Sequence, residues 1–232
     1  MPNTPSVGQI DFDAVRCMSV ALAEKLDAYV QRHWKHQREV ALIYQDLVDR
    51  LISSGAGQSA PAIGGQLPAF SLPDSFGQIV SSDELLSRGA LIISFNRGSW
   101  CPFCRLELLS FAEFYPEVKE LGGELVSIVP EMAKTTKNLM ETYELPFSVL
   151  SDIDNGYSLA NGLMYSCGED LQIALLERGI NLAELHGNKG LFMPITATYV
   201  VSQSGVVIDA FVNPDFRVRM PTEQAISALK SN

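Results

Sequence analysis

One stretch, Leu91–Leu109, constrains this chain more than any other, because it reads as a buried strand, a loop and the start of a helix. The run Leu91–Phe95 has the length of a core strand, and Gly98 interrupts it. Pro102 then occupies the first helical position, where a missing N–H costs nothing. Cys101 is therefore expected at the N-cap, facing free backbone N–H groups and the positive end of the helix dipole.

The placement of Cys101 has a chemical consequence, because a thiolate rather than a thiol is the nucleophile. A helix N-terminus stabilises the thiolate and can lower a cysteine pKa from about 8.5 to roughly 3.5–7.5. Cys104 follows one turn later, so the two sulfurs are spaced to alternate between dithiol and disulfide. Half a zinc site and two core cysteines are the alternatives for such a C-x-x-C pattern. The preceding strand, Pro102 and the neighbouring Trp100 favour the redox interpretation.

Charge and composition argue against several classes of protein. The 232 residues carry a formal net charge of −10, with a pI near 4.7, which disfavours binding to nucleic acid or to anionic membrane surfaces. No stretch approaches the ~20 apolar residues that a membrane span needs. The segment Met1–Pro5 lacks the regions of a signal peptide, and four cysteines are too few for a disulfide framework. We therefore expect a cytoplasmic protein without a cofactor.

The N-terminal part is predicted to be helical. Between Asp11 and Ile52 there is no proline or glycine, and apolar residues recur at helical spacing, which indicates one long amphipathic helix or a helical pair. Such a stripe has to be buried, either on its own domain or on a partner, and of these two we expect a homodimer contact. A metal role for His33 and His36 is less favoured than two exposed or capping histidines. Cys17 fits a small apolar helix residue.

A boundary is predicted near residue 65. The stretch Ser53–Pro61 is rich in serine and glycine and has the composition of a flexible linker. We therefore divide the chain into an N-terminal helical extension with its linker, residues 1–65, and a main domain, residues 66–232. Strands alternate with helices in the main domain, which indicates a three-layer α/β fold. The predicted elements are a hairpin at 70–80, helices at 82–86, 102–121, 132–143, 157–163, 170–178 and 223–230, and strands at 91–95, 124–129, 147–150, 198–202 and 206–212.

This order of elements around Trp100–Cys104 resembles the thioredoxin fold. Within that fold, the segments Val149–Asp152 and Ala197–Val201 are similar to peroxiredoxins of the alkyl hydroperoxide reductase and thiol-specific antioxidant family. The branch of the family that carries a C-x-x-C also has a segment similar to Asn213–Arg219. The resemblance covers residues 66–230. It implies a thioredoxin-like three-layer α/β/α fold, a peroxide substrate and a thioredoxin- or glutathione-type reductant.

Peroxiredoxins activate peroxide with a P-x-x-x-[TS]-x-x-C motif and a distant arginine, and this sequence departs from the motif. Counting back from Cys104, the proline and hydroxyl positions hold Arg97 and Cys101. Counting back from Cys101, they hold Ser94 and Gly98. Strand length matches Cys104 to the peroxidatic cysteine, whereas the Cys-Pro dipeptide matches Cys101. Because the helix dipole acts most on the first turn and on the more exposed thiol, we expect Cys101 to attack and Cys104 to resolve.

The distant arginine of the family is also missing. Its position holds Thr196, and Pro194 lies near the place of the cis-proline of thioredoxin-like reductases. Four arginines are candidates to replace it: Arg97, Arg105, Arg217 and Arg219. The residues predicted to support the cysteines are Arg97, Ser99, Trp100, Pro102 and Thr196.

Three functions are compatible with this pattern. The first is a thiol peroxidase, in which one cysteine becomes a sulfenic acid and the other converts it to a disulfide that a thiol donor reduces. The second is a disulfide oxidoreductase, since Cys-Pro-Phe-Cys is similar to the glutaredoxin motif. The third is a non-catalytic redox sensor, or a zinc protein using Cys101, Cys104, Cys167 and His186, although nothing in the spacing of the last two indicates tetrahedral convergence. The family resemblance favours the peroxidase and predicts that it is slow, because the usual donors are missing.

Overall fold

A computed structural model describes residues 7–231, and the segment Met1–Pro5 considered above lies outside them. The order of helices and strands agrees with the predicted α/β class. The helices are α1 Val7–Arg16, α2 Leu22–His36, α3 Arg38–Ser53, α4 Ser82–Arg88, α5 Pro102–Glu120, α6 Ala133–Tyr143, α7 Gly156–Ala160, α8 Glu169–Leu176, α9 Leu182–His186 and α10 Thr222–Lys230. The strands are β1 Ser71–Pro73, β2 Ile79–Ser81, β3 Leu91–Phe95, β4 Glu124–Val129, β5 Ser148–Ser151, β6 Met164–Ser166, β7 Phe192–Pro194, β8 Ala197–Val201 and β9 Val207–Val212.

The central sheet has the strand order β5-β4-β3-β8-β9. Strands β3, β4 and β5 are parallel, and β8 and β9 complete the sheet in antiparallel fashion. β3 lies in the middle and is buried along its whole length, which explains its apolar composition. Leu91, Ile93 and Phe95 join one core cluster and Ile92 the other, so the core continues on both faces of the sheet. This confirms the predicted three-layer thioredoxin-like fold.

The N-terminal part forms three helices instead of the predicted long helix or helical pair. The chain leaves the helical region at Gln37, with φ −140° and ψ 49°, although no proline or glycine is present. Packing explains the break, because α2 and α3 both contact the region around the start of α5. The rings of Tyr29 and Phe103 meet edge to face with centroids 5.2 Å apart, and those of Tyr44 and Phe216 do so at 5.1 Å.

The apolar stripe of the extension is buried within its own chain. Leu22, Leu26, Leu47 and Leu51 are at most 7% exposed and belong to the same core cluster as β3. The structure thus shows the alternative in which the stripe packs on its own domain, and the homodimer contact has no support from this stripe.

The serine- and glycine-rich stretch after α3 forms consecutive turns. Gly57, with φ +85°, approaches β9 so closely that a Cβ would lie 3.1 Å from Cγ1 of Val212. The stretch therefore packs against the main domain instead of forming an extended spacer. A division of the chain at residue 65 stays a prediction.

The expectations of an exposed or capping His33 and of a helical Cys17 need correction, whereas His36 is exposed at the end of α2 as expected. His33 is buried, with its ring centroid 5.5 Å from that of Tyr29 and 5.3 Å from that of Tyr44. His36 places Nδ1 2.9 Å from Oδ2 of Asp11. Cys17 lies in an exposed turn just after α1 and is not a helix residue.

Some short elements escape sequence analysis because three to five residues carry too little periodicity. Strands β6 and β7 pair antiparallel, and α9 lies between them in the chain.

The hairpin of β1 and β2 confirms the one predicted at 70–80. Helix α4 is capped by Ser81, whose Oγ accepts from the N–H of Asp83 at 3.2 Å. Within residues 7–231 no helix is long and apolar enough to cross a bilayer.

Replacing Leu47 by alanine is expected to lower the free energy of unfolding by about 2–5 kcal/mol, because this side chain is 1% exposed in α3. Leu42→Ala is the matched control, since Leu42 is 45% exposed on the same helix and its loss should cost at most ~0.5 kcal/mol. Denaturant titration at several protein concentrations measures both. An effect of Leu47→Ala that depends on concentration, or equals that of Leu42→Ala, would contradict burial within one chain.

Candidate active site

The loop before α5 brings the C-x-x-C pair to the helix N-terminus as the sequence predicts. Cys101 is the N-cap, with φ −83° and ψ 115°, and Pro102 is the first helical residue. Gly98 adopts φ +134°, and a Cβ there would lie 2.7 Å from Oε1 of Glu131 and 2.8 Å from Nε1 of Trp100. Glycine is therefore required at this turn both for its conformation and for the close approach of two side chains.

Both active-site cysteines are free thiols and both are buried. Cys101 is 1% exposed and Cys104 is fully buried, so exposure does not distinguish the two thiols. The start of α5 is covered by distant parts of the chain, because Phe103 contacts both Tyr29 of α2 and Phe216. Covering residues of this kind leave no signal near the C-x-x-C motif.

Arg219 is the arginine that reaches a cysteine sulfur. Its Nη2 donates to Sγ of Cys104 at 3.1 Å, and its Nη1 forms a buried ion pair with Glu107. Further bonds to the carbonyl oxygen of Phe216 and to Oδ1 of Asn96, both at 2.9 Å, fix the guanidinium. This arginine lies in the segment that resembles the C-x-x-C branch of the family, and among the four candidates it is the one whose side chain contacts a cysteine sulfur.

Arg97 brings a second positive charge to the pair. Its backbone N–H donates to Sγ of Cys104 at 3.4 Å. Its side chain is fully buried, and within residues 7–231 none of its guanidinium nitrogens has a hydrogen-bond partner. The guanidinium carbon instead lies over aromatic rings, 3.7 Å from the centroid of Phe216, 4.8 Å from Trp100 and 5.6 Å from Tyr44.

These charges decide how the two thiols ionise. Burial alone would raise the pKa of Cys101, but a hydrogen bond from Cys104 and the guanidiniums of Arg97 and Arg219 lower it to about 6. Burial and the neighbouring Cys101 raise the pKa of Cys104 well above its ordinary value. The pair therefore loses one proton near pH 6, which places a negative charge on Cys101, and holds the second.

A buried carboxyl group missed by sequence analysis also belongs to the site. Glu131 is fully buried and accepts from both the backbone N–H and the hydroxyl of Ser99, each at 2.9 Å. Burial raises the pKa of Glu131 to about 7. The one signal in the sequence is its position two residues after β4, at the carboxyl end of a parallel strand, where sites in α/β sheets form. Ser99, predicted to support the cysteines, thus bonds Glu131 in this structure.

Two of the four candidate arginines are used elsewhere. Arg105 lies 3.9 Å from the ring centroid of Phe12, and its Nη1 donates to the hydroxyl of Tyr143 at 2.9 Å. Arg217 is paired with Asp215, with Nε 2.7 Å from Oδ1. Neither geometry brings a guanidinium to the cysteine sulfurs.

Thr196 does not replace the distant arginine of the family, and Pro194 does not match the cis-proline of thioredoxin-like reductases. Thr196 is buried, and its hydroxyl donates to the carbonyl oxygen of Asn213 at 3.5 Å. No peptide bond within residues 7–231 is cis, so Pro194 does not stand for a cis-proline.

The zinc hypothesis finds no support in the described part of the chain. No group of three or more histidine, cysteine, aspartate or glutamate side chains there is arranged to hold a metal ion. Cys167 is buried, and His186 is buried with both ring nitrogens lacking a partner among residues 7–231. The two residues do not join Cys101 and Cys104 in a ligand set.

Comparison with known proteins decides the family. The model of the AhpC/TSA family matches residues 63–210. The chain belongs to the AhpC/TSA family. With the fold described above it is a peroxiredoxin-like protein, and the family domain contains the strand, loop and helix that carry the cysteines.

Individual relatives share little sequence identity with this chain, and they include both peroxiredoxins and thiol-disulfide oxidoreductases. Chloroplastic peroxiredoxin Q of Oryza sativa subsp. japonica is 27% identical over 144 residues, covering 62% of this chain and 56% of that protein. The thiol-disulfide oxidoreductase ResA of Bacillus cereus is 31% identical over 91 residues, covering 39% and 51%. The chain thus spans about half the length of these relatives. The crystal structure of peroxidoxin BcpB from Mycobacterium tuberculosis is similar in fold, with TM-score 0.57 and 20% identity over 73% of this chain and 96% of that one.

Glu131→Gln is expected to change the pH dependence of stability. The folded pKa of Glu131, about 7, exceeds the ordinary value of 4.5, so its contribution is fully present below pH 4.5 and is lost as pH rises through 7. Glutamine keeps an acceptor for Ser99 and has no charge to bury. The variant should therefore be more stable than the natural protein above this range, by up to about 3 kcal/mol, and similar to it below. Denaturant titrations on both sides of the range measure this, and parallel profiles would contradict the assignment.

Proposed function

We propose that this chain is a thiol peroxidase that reduces hydrogen peroxide or organic hydroperoxides through a Cys101–Cys104 dithiol–disulfide cycle. One observation carries the proposal: two buried thiols at the N-terminus of α5 lie against the buried arginines Arg97 and Arg219. Membership of the AhpC/TSA family supports a peroxide substrate.

The two arginines compensate for the missing motif residues. A peroxidase has to stabilise the negative charge that moves from sulfur to the leaving oxygen, and preorganised donors do this best. The guanidinium of Arg219 and the backbone N–H of Arg97 both lie within 3.4 Å of Sγ of Cys104, the resolving thiol, and the guanidiniums of both arginines also lower the pKa of the attacking Cys101. The Arg97 side chain adds a charge without a competing carboxylate partner among the described residues.

The cycle then follows from the ionisation of the pair. Cys101, with a pKa of about 6, is a thiolate at neutral pH and attacks the terminal oxygen of the hydroperoxide. The O–O bond breaks, the leaving oxygen takes a proton and departs as water or an alcohol, and the sulfur becomes a sulfenic acid. Cys104 attacks that sulfur, an S–S bond forms and water leaves. A thioredoxin- or glutathione-type thiol restores the dithiol, which fits the cytoplasmic setting expected from the sequence.

A thiol-disulfide oxidoreductase is the second candidate, and a specific observation favours it. The match to ResA, at 31% identity, exceeds the identity to peroxiredoxin Q, although it covers a shorter part of the chain. In this function the Cys101 thiolate attacks a substrate disulfide directly, and Cys104 closes the protein disulfide as the reduced substrate leaves.

Stopped-flow oxidation of the reduced protein separates the two functions. A peroxidase should react with hydrogen peroxide faster than free cysteine does at the same thiolate concentration, and faster than it reacts with a small disulfide. We expect a slow peroxidase, because losing one preorganised donor commonly costs about 10²–10³ in rate. Reaction with peroxide no faster than that of free cysteine, together with rapid exchange with disulfides, favours the oxidoreductase.

Serine variants assign the two cysteines. Cys101→Ser is expected to abolish turnover, because the low-pKa thiol is lost. Cys104→Ser should allow one oxidation and hold Cys101 as a sulfenic acid, detected by a sulfenic-acid reagent and mass spectrometry. A peroxide-dependent sulfenic acid on Cys104 in the Cys101→Ser protein would reverse the roles, an outcome that the contact between Arg219 and Cys104 makes worth testing.

A further inference from the structure

A cleft of about 470 Å³ lies between the N-terminal helices, the start of α5 and the end of α8. We call it the cationic cleft; its wall includes His36, Tyr44, Trp100, Pro102, Arg105 and Arg178. Trp100 and Pro102 flank Cys101 in the chain, so a molecule in the cleft lies beside the N-terminus of α5. Cys101, Cys104 and Arg219 do not belong to the wall, and of the two cysteines only Cys101 lies between two residues that do.

The charge of this cleft is opposite to that of the protein as a whole. The chain carries a net charge of −10, yet Arg105 and Arg178 line the cleft, and no aspartate or glutamate of residues 7–231 belongs to its wall. The nearby Asp11 is already held by His36 at 2.9 Å and by Arg32 at 3.4 Å. An anionic molecule thus finds positive charge here and little competition from neighbouring carboxylates.

The cationic groups of the cleft have unused hydrogen-bonding capacity. Arg178 is exposed and has one bond, from Nη1 to the carbonyl oxygen of Ala174 at 2.7 Å. Nε of Arg105 is buried without a partner in the described chain. Behind the wall, the guanidinium of Arg97 lies against the rings of Tyr44 and Trp100, which both face the cleft, and none of its nitrogens is bonded within residues 7–231. Guanidinium groups bind carboxylates in preference to other small anions of low charge, because the geometry is bidentate.

We propose that the cationic cleft binds a small thiol that carries carboxylate groups and presents its sulfur to Cys101. The inference rests on the proposed dithiol–disulfide cycle and names the class of its reductant. The cleft is within the range of about 300–1,000 Å³ that encloses small ligands, and it is too small for a protein reductant to enter.

The chemistry of such a reductant fits the positions of the two sulfurs. The thiolate of the bound molecule attacks Sγ of Cys101 in the disulfide form, a mixed disulfide forms, and the Cys101–Cys104 bond breaks. Cys104 leaves as a thiolate beside the Nη2 of Arg219 and takes up a proton. A second thiol attacks the mixed disulfide and releases the oxidised small molecule and the Cys101 thiolate. Two thiols are oxidised to one disulfide, and the protein disulfide takes both electrons.

The test follows reduction of the preformed disulfide of the full-length protein, without peroxide, by glutathione and by glutathione dimethyl ester. Rates are compared at equal concentrations of reductant thiolate. We expect glutathione to react at least about tenfold faster, and Arg178→Gln to reduce this preference about tenfold, the effect of losing one charge-assisted bond. Arg88→Gln is the matched control, because Arg88 is exposed in α4 and pairs with Glu84 away from the cleft. Arg88→Gln should keep the preference for glutathione over its dimethyl ester, and Arg105→Gln should lower this preference.

Three outcomes would overturn the inference. Equal rates with glutathione and its ester in the natural protein would show that carboxylates are not recognised. If neither Arg178→Gln nor Arg105→Gln changes the preference for glutathione over its ester, the carboxylates are recognised outside the cationic cleft. If Arg178→Gln slows only oxidation by a carboxylate-bearing hydroperoxide relative to a neutral one, the cleft binds the peroxide and not the thiol. A protein that prefers glutathione but is inert to peroxide supports the cleft and contradicts the proposed peroxidase.

Discussion

The active site depends on an excess of positive charge buried at the N-terminus of α5. Arg219 is neutralised by Glu107, but the guanidinium of Arg97 is fully buried and has no hydrogen-bond partner among the described residues. A cation–π contact stabilises a desolvated cation by about 2 kcal/mol, which is less than the free energy that its desolvation costs. The ionised Cys101 supplies the missing negative charge, which is why its pKa falls although burial alone would raise it.

Several remote parts of the chain hold this arrangement together. The N-terminal extension supplies Tyr44, whose ring centroid lies 5.6 Å from the guanidinium carbon of Arg97 and 5.1 Å from the ring centroid of Phe216, and it forms one wall of the cationic cleft. The segment before α10 supplies Phe216 and Arg219. The extension therefore takes part in the site as well as in the core. A family member that lacks the usual motif residues can still place two guanidinium groups against its cysteine pair by this route.

The sequence predicts the local parts of this structure well and the long-range parts poorly. The strand, loop and helix around Cys101, and the alternation of strands and helices after it, follow from periodicity and from Pro102 at the helix start. The burial of Cys101, the choice of Arg219 among four arginines and the role of Glu131 depend on contacts across 32 to 115 residues of chain. No pattern near the motif encodes such contacts. The expected homodimer contact has no support for the same reason, since the apolar stripe of the extension packs against the chain's own core.

Ultraviolet titration of thiolate absorbance in the reduced protein tests the central claim most directly. The account predicts one thiolate that appears with a midpoint near pH 6, and the loss of this transition in Cys101→Ser, because Arg97 and Arg219 stabilise the charge on that sulfur. Cys17 and Cys167 are replaced by serine beforehand, so that the transition belongs to the pair. A first midpoint near the ordinary thiol value of 9.0, or a low transition that persists in Cys101→Ser, would contradict it.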